Sequence, residues 1–160
     1  MGHKTHPIGF RLGYTKEWQS KWFAGNGKDY SSQVIEDLNI RNVIKKQYAE
    51  AGISRVEIER TSQDLSVNVH TARPGIVIGR RGSEIEKLKQ EIQDKTKREV
   101  YIDIQEVHRP ELDAKLVSES VALQIEKRVA FRRAMRKAVD SALRFGCKGI
   151  KICVAGRLNG

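Results

Sequence analysis

At 160 residues the chain has room for one ordinary domain or two small ones, and 39 % apolar against 31 % charged residues describe a soluble, core-poor fold. No apolar run is long enough to span a bilayer, and residues 1–7 lack the apolar stretch of a signal peptide, so neither a membrane span nor export is expected. The net charge of +10 calls for a polyanionic partner.

That charge is unevenly placed. Residues 1–50 hold 8 basic and 5 acidic side chains (+3), residues 51–106 hold 10 of each, and residues 107–160 hold 12 against 5 (+7). The C-terminal third should therefore supply much of the electrostatic affinity for a polyanion.

Residues 1–28 show no periodic element and read as an N-terminal extension. Gly9-Phe10-Arg11-Leu12-Gly13 and then Trp18, Lys21, Trp22 and Phe23 interleave aromatic and basic side chains. Such a segment can stack on bases, but core packing is the favoured expectation for Trp18, Trp22 and Phe23. A helix follows over 29–50, capped by Asp29 or Ser31 and ended by Gly52, with Tyr30, Val34, Leu38, Ile44 and Tyr48 as its apolar face. Alternation predicts strands over 53–60 (Val56, Ile58) and 65–71 (Leu65, Val67, Val69), close enough to form an antiparallel hairpin.

Pro74-Gly75-Ile76-Val77-Ile78-Gly79-Arg80-Arg81-Gly82 is the most informative stretch. It reads as a short helix with proline in its first turn, broken at Gly79-Arg80-Arg81-Gly82. A second helix restarts at Ser83, with Glu86 completing a capping box and Ile85, Leu88 and Ile92 as its stripe. Two glycines bracketing two arginines let backbone approach a phosphate chain, while the arginines and the next helix N-terminus supply positive potential. A third strand is expected over 99–106. The order α-β-β-α-GXXG-α-β over residues 29–107 is that of a type II KH domain, a three-stranded sheet with helices on one face. Neither a P-loop nor a Rossmann fingerprint is present.

After Arg109-Pro110, residues 111–145 read as a long helical stretch with a break near 128–131, anchored by Leu112, Leu116, Leu123 and Val129. Arg128, Arg132, Arg133, Arg136, Lys137 and Arg144 fall on one half of the helix, and Phe131, Met135, Ala138, Ala142 and Phe145 on the other. A solvated helix usually mixes charge signs, so a nearly single-sign face suits phosphates. Residues 148–155 read as a strand with Ile150, Ile152 and Val154 inward, followed by a basic turn over 156–160. One strand cannot satisfy its own edges, so 108–160 reads as an incomplete second α+β domain. Cys147 and Cys153 are expected as reduced thiols beside that strand, with no metal site around them.

Several stretches together closely resemble the bacterial-type family of ribosomal protein three of the small subunit. They are Gly9–Gly13, Trp22-Phe23-Ala24, His70-Thr71-Ala72-Arg73 running into Pro74–Gly82, Arg109–Leu116, Arg128–Met135, Gly149-Ile150-Lys151 and Gly156-Arg157-Leu158. The resemblance implies a structural rRNA-binding protein of the small-subunit head, with no cofactor, in a bacterial (cytoplasmic) or plastid ribosome. It implies neighbours among small-subunit proteins ten and fourteen, and proteins four and five at the mRNA entry. The GXXG motif marks Gly79, Arg80, Arg81 and Gly82 as RNA-binding residues, and His3, Lys4, His6 and Arg11 are the expected rRNA contacts of the N-terminal tail. The resemblance maps mRNA contact onto Arg132, Arg133 and Arg136, with Lys137 adjacent, and helical spacing adds Arg128 and Arg144 to the same mRNA- or RNA-binding face. Arginine stands at Arg136 where lysine is familiar, which keeps charge but changes how phosphate is held. Family members continue beyond Gly-Arg-Leu with further strands.

Other function classes fit less well. A free-standing KH factor in transcription or RNA turnover needs neither the basic helix nor the aromatic tail. A nuclease or lyase requires a carboxylate cluster or positioned nucleophile, whereas Glu57/Glu59, Glu84/Glu86 and Glu111/Asp113 read as solvated pairs, so no enzyme is expected. Membrane binding by the basic helix is disfavoured because its apolar face is rich in alanine.

Overall fold

The computed structural model describes residues 2–158. Helix α1 (Gly27–Gln47) starts two residues before the expected point, with Asn26 in the cap position. Neither Asp29 nor Ser31 caps it; the Ser31 hydroxyl instead donates to the Lys28 carbonyl at 2.9 Å. A short 3₁₀ turn, Ala49–Ala51, follows, and Gly52 at φ 68° reverses the chain into β2 (Ile53–Arg60). That conformation favours glycine, and an added Cβ would also meet Ala72 at 3.3 Å. Strand β3 (Asp64–Thr71) pairs antiparallel with β2, as the alternation indicated, with an irregularity between Ile53 and Arg55. Helix α2 (Pro74–Ile78), the GRRG turn and helix α3 (Ser83–Thr96) lead to β4 (Glu99–Glu106), parallel to β3.

The sheet has four strands, not three. Ser20–Lys21 forms β1, a two-residue strand parallel to β2, in a region that carries no periodic signal. Pairing, not side-chain pattern, creates it: the Ile58 amide donates to the Gln19 carbonyl at 2.9 Å.

Alternation gives the sheet two unlike faces. Val56, Ile58, Leu65, Val67, Val69 and Val100 are buried against Ile40 and Ile44 of α1, Val77 of α2, and Leu88 and Ile92 of α3. Each such side chain contributes about 1.5–3 kcal/mol on burial. The expected face of α1 is displaced by part of a turn: Ile40, Ile44 and Tyr48 are buried, but Tyr30 and Leu38 are exposed. The opposite sheet face carries Arg55, Glu57 and Glu59 of β2, Asn68 and His70 of β3, and Tyr101 and Asp103 of β4.

Helices α4 (Ala114–Glu126) and α5 (Phe131–Arg144) pack on each other, separated by the expected break, where Arg128 sits at φ 61°. Leu116 is buried, but Leu112 and Leu123 are 41 % and 53 % exposed, so they do not anchor the pair. Asp113 is no solvated carboxylate. It caps α4 by accepting from the Lys115 and Leu116 amides at 2.9 and 3.1 Å, and it takes the Ser54 hydroxyl of β2 at 2.6 Å. This couples α4 to the sheet.

The expected strand over 148–155 does not form; these residues run as irregular chain. Alternation favours a strand but pairing makes it, and no strand lies beside them among the described residues. Cys147 and Cys153 are free thiols, the first donating to the Gly149 carbonyl at 3.1 Å. Residues 159 and 160 of the expected terminal turn lie outside the described residues. Among the described residues, no helix is long and apolar enough to cross a membrane, and no group of three His, Cys, Asp or Glu side chains could hold a metal ion.

Candidate nucleic-acid interface

The GRRG turn owes its shape to backbone conformations that side chains resist. Gly79 adopts φ 71°, ψ −174°, a region that is essentially glycine-only, and Gly82 adopts φ 82°, ψ 6°. A Cβ on Gly79 would come within 2.5 Å of Glu84 Cγ and 2.9 Å of Glu84 Cβ. Arg81, between the glycines, holds φ 54° despite its side chain. Arg80 and Arg81 both point into solvent, and no carboxylate lies within 4 Å of either among the described residues. Ile76 and Ile78, 40 % and 39 % exposed, flank the turn. Cations beside an apolar shelf suit a strand whose phosphates and bases are both exposed.

Helix α3 begins differently from the sequence expectation. Ser83 is its first residue, Gly82 occupies the cap position, and no capping box forms. Glu84 and Glu86 lie in the first turn, and Glu84 pairs with Lys87 at 2.8 Å. These carboxylates favour the helix dipole but offset its positive end, so the anion-attracting potential at the turn rests on the two arginines.

The second surface is α5. Ala134 and Ala142 are buried on its inner side, with Phe131, Met135 and Ala138 half-buried. Arg132, Arg133, Arg136, Lys137 and Arg144 are exposed, and among the described residues none has a carboxylate within 4 Å. Arg128 is exposed too but stands in the break before the helix, not on its face as expected. Asp140 is the single acidic residue of α5. Because α5 packs on α4, while α2 and α3 pack on β4, the two cationic surfaces belong to different parts of the fold.

The N-terminal residues form a third group. His3 and Lys4 are exposed, the His6 ring accepts from the Gly9 amide at 3.2 Å, and Arg11 donates to the Pro7 carbonyl at 2.8 Å. Trp18 and Phe23 are 64 % and 93 % exposed, so they are not core residues as expected; Trp22 alone is half-buried.

What fixes this segment is a buried carboxylate that periodicity did not single out. Asp37 of α1, 1 % exposed, accepts from Ser20 Oγ at 2.9 Å, Trp22 Nε1 at 2.8 Å and Arg60 Nε at 2.9 Å. Arg60 also reaches Glu36 at 2.9 Å, and its guanidinium lies 6.0 Å from the Trp22 ring centre. Arg41 Nη2 completes the group with the Gln19 carbonyl at 2.9 Å. The signal was present: Asp37 lies one helical turn before buried Ile40, and Arg60 continues the inward alternation of Val56 and Ile58. Glu57, expected as a solvated carboxylate, is largely buried instead. It is enclosed by Arg55 at 2.7 Å and His70 at 3.4 Å.

A hairpin, paired helices around a GXXG turn, and a strand returning parallel to β3 make this a type II KH domain, an RNA-binding class. A family model for the KH domain matches residues 39–112, and one for the ribosomal protein S3 C-terminal domain matches residues 121–160. Small ribosomal subunit protein uS3 of Solibacter usitatus is 64 % identical over the whole chain, which spans 46 % of that relative's length. The uS3 proteins of Koribacter versatilis and Acidobacterium capsulatum are 62 % and 59 % identical, the chain again matching in full and spanning 71 % of each. The chain belongs to the small ribosomal subunit protein uS3 family.

Proposed function

We propose that this chain is a structural RNA-binding protein of the small ribosomal subunit in a bacterial cytoplasm. In this reading residues 29–107 act as the KH domain and 108–160 as the start of a second domain. The GRRG turn and N-terminal residues hold rRNA, and α5 faces mRNA at its entry. Neighbouring proteins are ten and fourteen in the head and four and five at the entry. The observation that carries the reading is the exposed, carboxylate-free row Arg132, Arg133, Arg136 and Lys137, standing apart from a second cationic turn at Arg80-Arg81. Two separate cationic surfaces fit a protein seated between two RNA segments. Arginine forks supply charge-assisted bonds to phosphate, and the turn's backbone can approach the chain closely.

Binding of the full chain to single-stranded RNA, followed by fluorescence anisotropy across a salt series, tests this. About six neutralised phosphates give a log–log slope near −4. Binding that is insensitive to salt, or unchanged when Arg80, Arg81, Arg132, Arg133 and Arg136 are all replaced by alanine, contradicts it.

A further inference from the structure

The open face of the sheet is the large surface that the RNA-binding reading leaves unused. Strand alternation places Glu57, Glu59, Asp64, Glu99 and Asp103 there, against Arg55 and Lys21. Both cations are already engaged. Arg55 Nε meets Glu57 at 2.7 Å, and Lys21 Nζ meets Glu17 at 2.9 Å and Glu59 at 3.3 Å. On a chain of net charge +10 this face is locally acidic. It repels phosphate and attracts a cationic chain.

A second feature of the same face points to a ligand. His70 is 9 % exposed, and its Nε2 has no hydrogen-bond partner, facing Glu57 Oε1 at 3.4 Å. Buried polar atoms are nearly always partnered, and an orphan is costly. Burial and the Arg55 guanidinium hold the ring toward its neutral form. The carboxylates of Glu57 and Asp103 sit on the two strands flanking β3, so this part of the face attracts a cation. Tyr101, half-exposed next to Asp103 on the edge strand, has its ring 5.5 Å from Lys89 Nζ of α3.

We propose that the outer face of the sheet docks a lysine- and arginine-rich segment of a partner protein, one cation seating among Glu57, His70 and Asp103. The face is thus the protein-facing side of a molecule whose turn and α5 face nucleic acid. Charge complementarity selects this occupant over RNA.

The test is a titration of the isotope-labelled full chain, followed by amide and imidazole resonances, with a short synthetic peptide of arginine and lysine alternating with serine. A parallel titration uses single-stranded RNA. The expected result is peptide-induced shifts at Asn68, His70, Tyr101 and Asp103, binding about tenfold weaker in E59K/D103K, and RNA-induced shifts confined to other surfaces. E59Q/D103N, which removes charge without reversing it, should weaken the peptide less and melt like the parent. Peptide shifts elsewhere, equal affinity in E59K/D103K, or RNA shifting the sheet face would each overturn the proposal.

Discussion

Replacing Gly79 with alanine probes the turn at its most constrained atom. An alanine held at φ 71°, ψ −174° costs about 1–3 kcal/mol in backbone strain. The added Cβ also overlaps Glu84, at 2.5 Å from Cγ, 2.9 Å from Cβ and 3.2 Å from the backbone nitrogen. Glu84→Ala removes only the Cγ contact, so it relieves part of the damage. Gly82 is the internal control: an added Cβ there meets nothing closer than Ile85 at 3.9 Å, and its αL conformation suits asparagine. At roughly 2–4 °C per kcal/mol for a chain of this size, Gly79→Ala should lower the melting temperature by about 4–8 °C for a cost near 2 kcal/mol. Gly82→Asn should lower it far less. Differential scanning calorimetry measures both, and RNA binding by Gly79→Ala should fall because the turn cannot keep its shape. Equal stabilities for Gly79→Ala and Gly82→Asn, with RNA binding intact, would refute the reasoning.

Asp37→Ala should cost about 3–5 kcal/mol in urea denaturation, because it strands the buried Arg60 guanidinium. Trypsin should then cut at Lys21 in the released N-terminal segment, while Trp22→Phe, which removes one charge-assisted bond, costs about 1.5–3 kcal/mol. Acid should weaken the fold through His70. Burial, then Arg55, lowers its folded pKa below the ordinary 6.5, opposed by Glu57 and Asp103, so the unfolded chain takes up the proton first. Its stabilising contribution is therefore complete above pH 6.5 and lost as pH falls toward the folded value, and His70→Asn should flatten urea midpoints across that window. Replacing Arg132, Arg133 and Arg136 together with alanine should make the salt slope for single-stranded RNA shallower by about 2, read by anisotropy.

Features encoded by local periodicity were legible in the sequence, and features made by pairing were not. The two hairpin strands, the GRRG break and the break near Arg128 follow from alternation, glycine and helical spacing, all local. Ile150, Ile152 and Val154 alternate equally well but have no neighbouring strand to pair with, so the pattern misleads. Ser20–Lys21 has no pattern and yet is a strand, held to β2 by backbone bonds and by the Asp37 group. Exposure of Trp18 and Phe23 was equally out of reach, because aromatic composition does not say which side of a chain is covered. The cationic row of α5 could be read from helical geometry alone. The carboxylates Glu57 and Asp113 could not, since their partners Arg55, His70 and Ser54 are set by strand register and by the approach of α4 to the sheet.

Co-sedimentation of the full chain with small ribosomal subunits through a high-salt cushion distinguishes a ribosomal protein from a free RNA-binding factor. Two variants accompany it, one with Arg80 and Arg81 changed to Asp and one with Arg132, Arg133 and Arg136 changed to Ala. The parent should pellet stoichiometrically, reversing the turn's charge should abolish pelleting, and the α5 variant should stay on the subunit with weakened mRNA binding. A parent chain that stays in the supernatant while still binding single-stranded RNA would contradict it.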